Sequence, residues 1–200
     1  SFPILKAAFI DLEKAFDWIN RDLLLYKLIE LGIDGNIYFA IKSMLSGTQS
    51  RIVLGDNIET MLFDVTCGVR QGDPMSPTLF SLFINDLIRH LKTNCNTLRV
   101  GNLDINSLFY ADDMVLIGES ENDLQNLLNE LNIWCMKWHV KINEDKSKIV
   151  HFRKIRAKCT EIDFLLNGQM LEKVNCYKYL GVFFDENLKF DICIQTLAES

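Results

Sequence analysis

The sequence predicts an α+β fold, an antiparallel sheet with helices packed on one face. Three observations carry that reading. Strand-like and helix-like segments alternate irregularly, without the strict strand-helix repeat of a parallel sheet. Neighbouring apolar runs are joined by tight turn signals, most clearly Asn167-Gly168. Longer apolar stretches at helical spacing carry recognisable start and stop residues.

Taken in order, Ala7-Ala8-Phe9-Ile10-Asp11-Leu12 is a short strand that ends on a carboxylate. Glu13 to Asp17 form a turn or short helix, and Asn20-Arg21-Asp22 opens a helix through Leu31, with Leu24, Leu25, Leu28, Ile29 and Leu31 at helical spacing and Gly32 as its stop. A second helix runs from about Asp34 to Leu45. Ser50 to Leu54 and Ile58 to Val65 flank Gly55-Asp56-Asn57 as a hairpin. Ser76-Pro77 makes an N-cap and first turn for an apolar helix over Thr78 to Lys92. Gly101 to Asp104 is a turn, and Ser120 to Asp123 caps a helix to about His139 that presents Leu124, Leu127, Leu128, Leu131, Ile133, Trp134 and Trp138 inward. Strands follow at Ile149 to Phe152, on both sides of Asn167-Gly168, and over Tyr177 to Phe184; Leu188 to Ser200 reads as a helix start.

The 200 residues suffice for one large domain with a real core. No run of 18 apolar residues is present, and the start lacks an initiator Met and the layout of a signal peptide, so it reads as a cut from a longer chain. Six cysteines without any Cys-x-x-Cys pair argue against zinc knuckles and disulfide frameworks, and for buried free thiols in a reducing, intracellular compartment. A net charge of −6 at first sight opposes nucleic-acid binding. The distribution matters more: Lys137, Lys141, Lys146, Lys148, Arg153, Lys154, Arg156 and Lys158 cluster against only Glu144 and Asp145, as a solvated face or one wall of a polyanion groove.

The chemistry concentrates at residues 105 to 117. Leu108-Phe109-Tyr110 and Met114-Val115-Leu116-Ile117 are strand-like arms around Ala111-Asp112-Asp113. An isolated Asp-Asp of this kind is an ordinary turn pair. The second acidic strand end, at Asp11, changes the reading, because a strand ending in Asp beside an Asp-Asp hairpin can gather three carboxylates at one point. Such a cluster needs a positive partner, and a hard cation such as Mg²⁺ suits oxygen ligands with positions left open for water and phosphates. Residues 67 to 77 hold two glycines and two prolines, either a connector or a substrate-facing loop held at a helix start.

These stretches resemble a known family. Phe9 to Asp17 resembles motif A of reverse transcriptases, Arg70 to Pro77 resembles motif B, Phe109 to Asp113 resembles motif C, Asn143 to Ser147 is similar to motif D, and Tyr179-Leu180-Gly181 is similar to the start of motif E. The wording is that of the non-LTR, LINE-type branch. The resemblance implies a polymerase palm over residues 1–200, with partial fingers and a truncated thumb start, and RNA-directed DNA synthesis from dNTPs on an RNA template and DNA primer. Two Mg²⁺ ions, replaceable by Mn²⁺, would be held by Asp11, Asp112, Asp113 and the Leu12 carbonyl. Phe16 falls at the steric gate; Arg70, Gln71, Gly72, Tyr110 and Ala111 would line the dNTP site. Lys146, with Lys148 as the alternative, would protonate pyrophosphate, and Tyr179, Leu180 and Gly181 would form the primer grip. Only ten residues precede Asp11, so fingers, thumb and any endonuclease are expected from a parent chain that this piece needs for activity. The competing readings are an inactive nucleic-acid-binding or scaffold domain, a decayed fragment, and a nucleotide cyclase palm, which the Gln71-Gly72 loop opposes.

Overall fold

In the computed structural model, residues 5–54, 59–155, 157–159, 161–190 and 194 are described. The chain divides into two compact units: Lys14–Asn85, and Ser1–Glu13 together with Asp86–Ser200. In chain order the elements are β1 (Leu5–Asp11), α1 (Arg21–Glu30), α2 (Gly35–Leu45), β2 (Gln49–Ser50), β3 (Phe63–Asp64), α3 (Ser76–Asn94), β4 (Leu98–Val100), β5 (Leu103–Ile105), β6 (Ser107–Tyr110), β7 (Asp113–Gly118), α4 (Glu121–Trp138), β8 (Lys148–Phe152), β9 (Leu165–Leu166), β10 (Gln169–Met170), β11 (Glu172–Lys173), β12 (Cys176–Tyr179) and β13 (Val182–Asp185). Helix α3 contributes residues to both units.

The sheet unit is built on five strands in the order β11-β8-β1-β7-β6, antiparallel except for β11 against β8. Strand side chains alternate between faces. Ala7, Phe9, Val115 and Val150 form one buried cluster, covered by Val174, Tyr177 and Tyr179. Ala8, Ile10, Met114, Leu116 and Ile149, also buried, are left for the opposite face. There lies α4, whose Leu124, Leu127, Leu128, Leu131 and Trp134 are buried. Its start is a capping box: the Ser120 hydroxyl accepts from the Asp123 amide at 3.1 Å, and the Asp123 carboxylate accepts from the Ser120 amide at 3.0 Å. Ile133, expected inward, is exposed, since it falls outside the a/d-like stripe that meets the sheet.

The segment 177–184 is a hairpin rather than one strand. Leu180 and Gly181 both have left-handed φ, +49° and +84°, which turns the chain in two residues. The Asn167-Gly168 hairpin is as expected. Of the expected hairpin after α2, the described residues keep two short pairings, Gln49↔Asp64 with Ser50↔Phe63 and the bridge Val53↔Glu59; its turn lies outside them. The helix start expected over 188–200 lies largely outside them too. The described cysteines are free, but only Cys135 is buried and Cys159 is exposed. Burial pushes the Cys135 thiol up to about 12. The basic stretch is partly consumed internally: Lys148 pairs with Glu172 and Arg153 with Glu186, each at 2.7 Å, while Arg156 lies outside the described residues.

The unit Lys14–Asn85 is held by α1. Asn20 caps it, accepting from the Leu23 amide at 3.0 Å. Leu24, Leu25 and Leu28 are buried, whereas Ile29 and Leu31 of the expected stripe are exposed at the C-terminal end of the helix. Arg21 donates to three carbonyls, Gly68 at 2.8 Å and Leu45 and Val65 at 2.6 Å each. Beside this clamp the chain runs back on itself: the Gly68 amide donates to the Ile19 carbonyl and the Val69 amide to the Phe16 carbonyl, both at 2.8 Å. Gly68 sits at φ +79°, and a Cβ there would lie 2.5 Å from the Asp17 carbonyl oxygen. Backbone cannot yield as a flexible side chain can. Gly68→Ala is therefore expected to destabilise this unit by about 2–4 kcal/mol, read by denaturant titration.

Candidate active site

Asp11 is the last residue of β1 and Asp113 the first of β7, and the antiparallel register sets them directly opposite each other. They share a face with Ala7, Phe9 and Val115, because residues two apart point the same way. Asp112 stands in the two-residue loop closing β6 on β7 through Tyr110↔Asp113. The first loop residue, Ala111, has φ +52°, a conformation that costs an alanine on the order of 1 kcal/mol. The site thus stores local backbone strain beside two adjacent carboxylates. Desolvation, then the Asp112 and Asp11 carboxylates, hold Asp113 above the usual carboxylate range.

Two tyrosines border this charge. Tyr177 stacks on Phe9 with centroids 4.5 Å apart, and Tyr179 packs against the same ring at 5.5 Å. Burial raises both phenols; next come Asp11 and Asp113 for Tyr177, and Asp113 for Tyr179. Leu180 and Gly181 form the turn beyond them.

Beyond Asp11 the chain pairs with residues 141–143. Glu13 donates to the Lys141 carbonyl at 2.9 Å and Asn143 to the Asp11 carbonyl at 2.8 Å, around the bridge Leu12↔Ile142. Leu12 is at a non-hydrogen-bonded position of that pairing, so its own carbonyl is not consumed by it. Among the described residues no group of three or more His, Cys, Asp and Glu side chains stands where it could hold a metal ion. The expected gathering of three carboxylates at one point is not closed: two are opposite each other and the third is on the turn. Electrostatically the residues still fit a divalent cation, since the Asp112 and Asp11 carboxylates both act on Asp113, after desolvation, to raise it, and a cation would offset that repulsion.

The other unit carries Phe16, Arg70, Gln71 and Gly72. The half-buried Phe16 ring stacks on Phe80, 4.8 Å between centroids and 28° between planes. Arg70, Gln71 and Gly72 are exposed, and Gly72 has φ +83°. The Gln71 amide donates to the Asp17 carboxylate at 3.0 Å, a partner that sequence reasoning did not assign. The Met75 amide donates to the Asp73 carboxylate at 2.8 Å, and Ser76 returns its hydroxyl to the Arg70 carbonyl, which closes the loop onto the start of α3.

In the 143–147 segment, Lys146 is exposed, whereas Lys148 donates to the Asp145 carbonyl and pairs with Glu172. Ser147, which sequence reasoning passed over, is wholly buried. Its signal in the sequence was faint: a small hydroxyl residue at the seam of a charged turn and a strand.

Comparison with known proteins places this geometry. Residues 6–184 match the profile of the family described as reverse transcriptase (RNA-dependent DNA polymerase). The chain is 29% identical over 199 residues to the RNA-directed DNA polymerase from mobile element jockey of Drosophila melanogaster, covering 96% of this chain and 21% of that protein. It is 31% identical over 200 residues to the jockey polymerase of Drosophila funebris, covering 97% and 21%. With a Pol polyprotein from retrotransposable element R2 of Popillia japonica it shares 25% over 182 residues, 88% of this chain and 30% of the other. The chain therefore spans about a fifth of the length of the jockey relatives. In fold it is similar to apo telomerase from Candida tropicalis, with a TM-score of 0.66 at 15% identity over 96% of this chain and 35% of that one. The palm-like sheet, the carboxylates at its strand ends and the profile match across nearly the whole sequence have one conclusion: the chain belongs to the reverse transcriptase (RNA-dependent DNA polymerase) family.

Proposed function

We propose that this chain is the palm of an RNA-directed DNA polymerase of a non-LTR retrotransposon, which adds dNTPs to a primer 3′-hydroxyl on an RNA template. The observation that carries it is the register pairing of Asp11 with Asp113 beside the Asp112 turn, at the strand ends of a family palm. In this reading residues 1–200 are one polymerase segment, with fingers, thumb and any endonuclease supplied by a longer parent chain.

Asp11, Asp112 and the Leu12 carbonyl would hold Mg²⁺, with Mn²⁺ as a substitute and Asp113 completing the acidic site. Water and substrate phosphates would supply the remaining oxygens, as that cation prefers. Bound there, the ions would lower the pKa of the primer hydroxyl and neutralise the triphosphate. The chain's own groups do the rest. The Phe16 ring is the gate against a 2′-hydroxyl. Gln71 and Gly72 line the nucleotide and template site, and Arg70 reaches phosphate. Tyr110 and Ala111 of the motif C turn would contribute to dNTP binding. Lys146, exposed while Lys148 is engaged, gives a proton to pyrophosphate. Tyr179, Leu180 and Gly181 bear on the primer backbone.

The testing experiment is primer extension on an RNA template by the full-length protein with Mg²⁺ and dNTPs. RNA-dependent extension supports the reading; template–primer binding without extension would replace it with a scaffold role. A stability measurement adds a second check. Since the folded-state pKa of Asp113 lies above its unfolded value, its contribution to stability without metal is present below the ordinary carboxylate range and is lost as pH rises through the raised value. Asp113 is exposed, so solvent screens much of this: at pH 7 Asp113→Asn is expected to raise the metal-free melting midpoint only slightly, by about 1 °C, and to shrink the gain on adding Mg²⁺.

A further inference from the structure

The ladder between β1 and β8 runs from Leu5↔Phe152 to Phe9↔Lys148 and then breaks. Residues 143–147 leave it as a turn, and pairing resumes at Leu12↔Ile142. The Asp11 amide faces that gap and has no strand partner there. Ser147 fills the place: its Oγ accepts from the Asp11 N–H at 3.1 Å and donates to the Asn143 carbonyl at 2.8 Å. Asn143 in turn donates its amide to the Asp11 carbonyl at 2.8 Å. The turn is braced internally, by the Ser147 amide on the Asn143 carbonyl at 2.9 Å and the Lys146 amide on the Asn143 side chain at 3.2 Å.

We propose that Ser147 is a positioning residue for Asp11, whose hydroxyl fixes the backbone that aims this carboxylate and ties to it the turn carrying Lys146. The inference rests on the polymerase reading. Its physical basis is that both polar backbone groups of Asp11 end on one five-residue turn, and that Ser147 is 0% exposed. A part-buried amide left without an acceptor is costly, so alanine at this position is expected to let the Asp11 backbone shift towards another partner. The Ser147 hydroxyl thereby joins the Asp11 backbone to the turn whose Asn143 side chain accepts from the Lys146 amide.

The test uses the full-length protein, its Ser147→Ala variant, and Ser147→Cys, which is close in shape but a much weaker acceptor and stands in should Ser147→Ala fail to fold. Mn²⁺ binding is followed by electron paramagnetic resonance without substrate, and single-turnover extension is normalised to active sites titrated with template–primer. The expected result for Ser147→Ala is a roughly tenfold weaker Mn²⁺ affinity and a roughly 10- to 100-fold slower chemical step, with dNTP KM nearly unchanged and Ser147→Cys in between. A purely structural serine would lower the number of active sites and leave the rate per site and the Mn²⁺ affinity as they were; that outcome overturns the proposal. A parent that neither binds Mn²⁺ nor extends a primer overturns the polymerase reading itself, and this assignment with it.

Discussion

Asp112→Ala in the full-length protein is expected to cut RNA-templated primer extension by about 10³-fold or more while leaving template–primer binding intact. The argument is one of position. Asp112 is half-buried at the tip of the β6–β7 loop, away from the apolar cluster beneath Phe9 and Val115. Little packing depends on it. Its charge, by contrast, adds to desolvation, the larger cause, in holding the Asp113 carboxylate up. Removing it relieves repulsion in the metal-free chain, so the melting midpoint should hold or rise as activity disappears. Activity lost without stability lost is what separates a group serving the reaction from one serving the fold. If Asp112→Ala extended primers at a rate near that of the parent, the site would have to be sought elsewhere.

The parts of this site that were legible in the sequence are those where a local rule and the global fold agree. The Asn167-Gly168 turn, the Ser120/Asp123 capping box and the hairpin around Ala111-Asp112 each follow from two to four adjacent residues. The opposition of Asp11 and Asp113 could be anticipated only as a meeting of strand ends; which carboxylate faces which is a matter of register over 102 positions of chain, and no local pattern encodes it. The hairpin at Leu180-Gly181 was hidden because leucine rarely adopts left-handed φ, so the apolar run read as one strand. Ser147 was hidden for another reason. Its role is to replace a missing ladder bond, and a missing bond leaves no mark in composition or periodicity. The division of the chain was equally silent, because one boundary falls inside α3, where the sequence has no linker composition to betray it.

Phe16→Ala is expected to reduce discrimination between dNTPs and rNTPs by about 10- to 100-fold, measured as the ratio of kcat/KM for the two on one RNA template. Two readings of this ring compete, and the structure sharpens the contest. The stack on Phe80 at 4.8 Å and the partial burial of Phe16 are what a core aromatic would show. The same stack is what a gate requires, because a ring can exclude a hydroxyl only if it cannot swing away. Phe80 is itself 2% exposed and belongs to α3, so it forms a rigid backing. The Phe16 carbonyl is further pinned by the Val69 amide at 2.8 Å. Truncation should cost stability on the order of 1–3 kcal/mol through the lost stacking and burial, whichever reading holds. Discrimination is the quantity that tells them apart. A core residue would weaken the use of both nucleotides alike, while a gate would leave dNTP incorporation nearly intact and admit rNTPs. Phe16→Tyr gives the complementary result: it keeps the ring on Phe80, so discrimination should survive in a protein as stable as the parent.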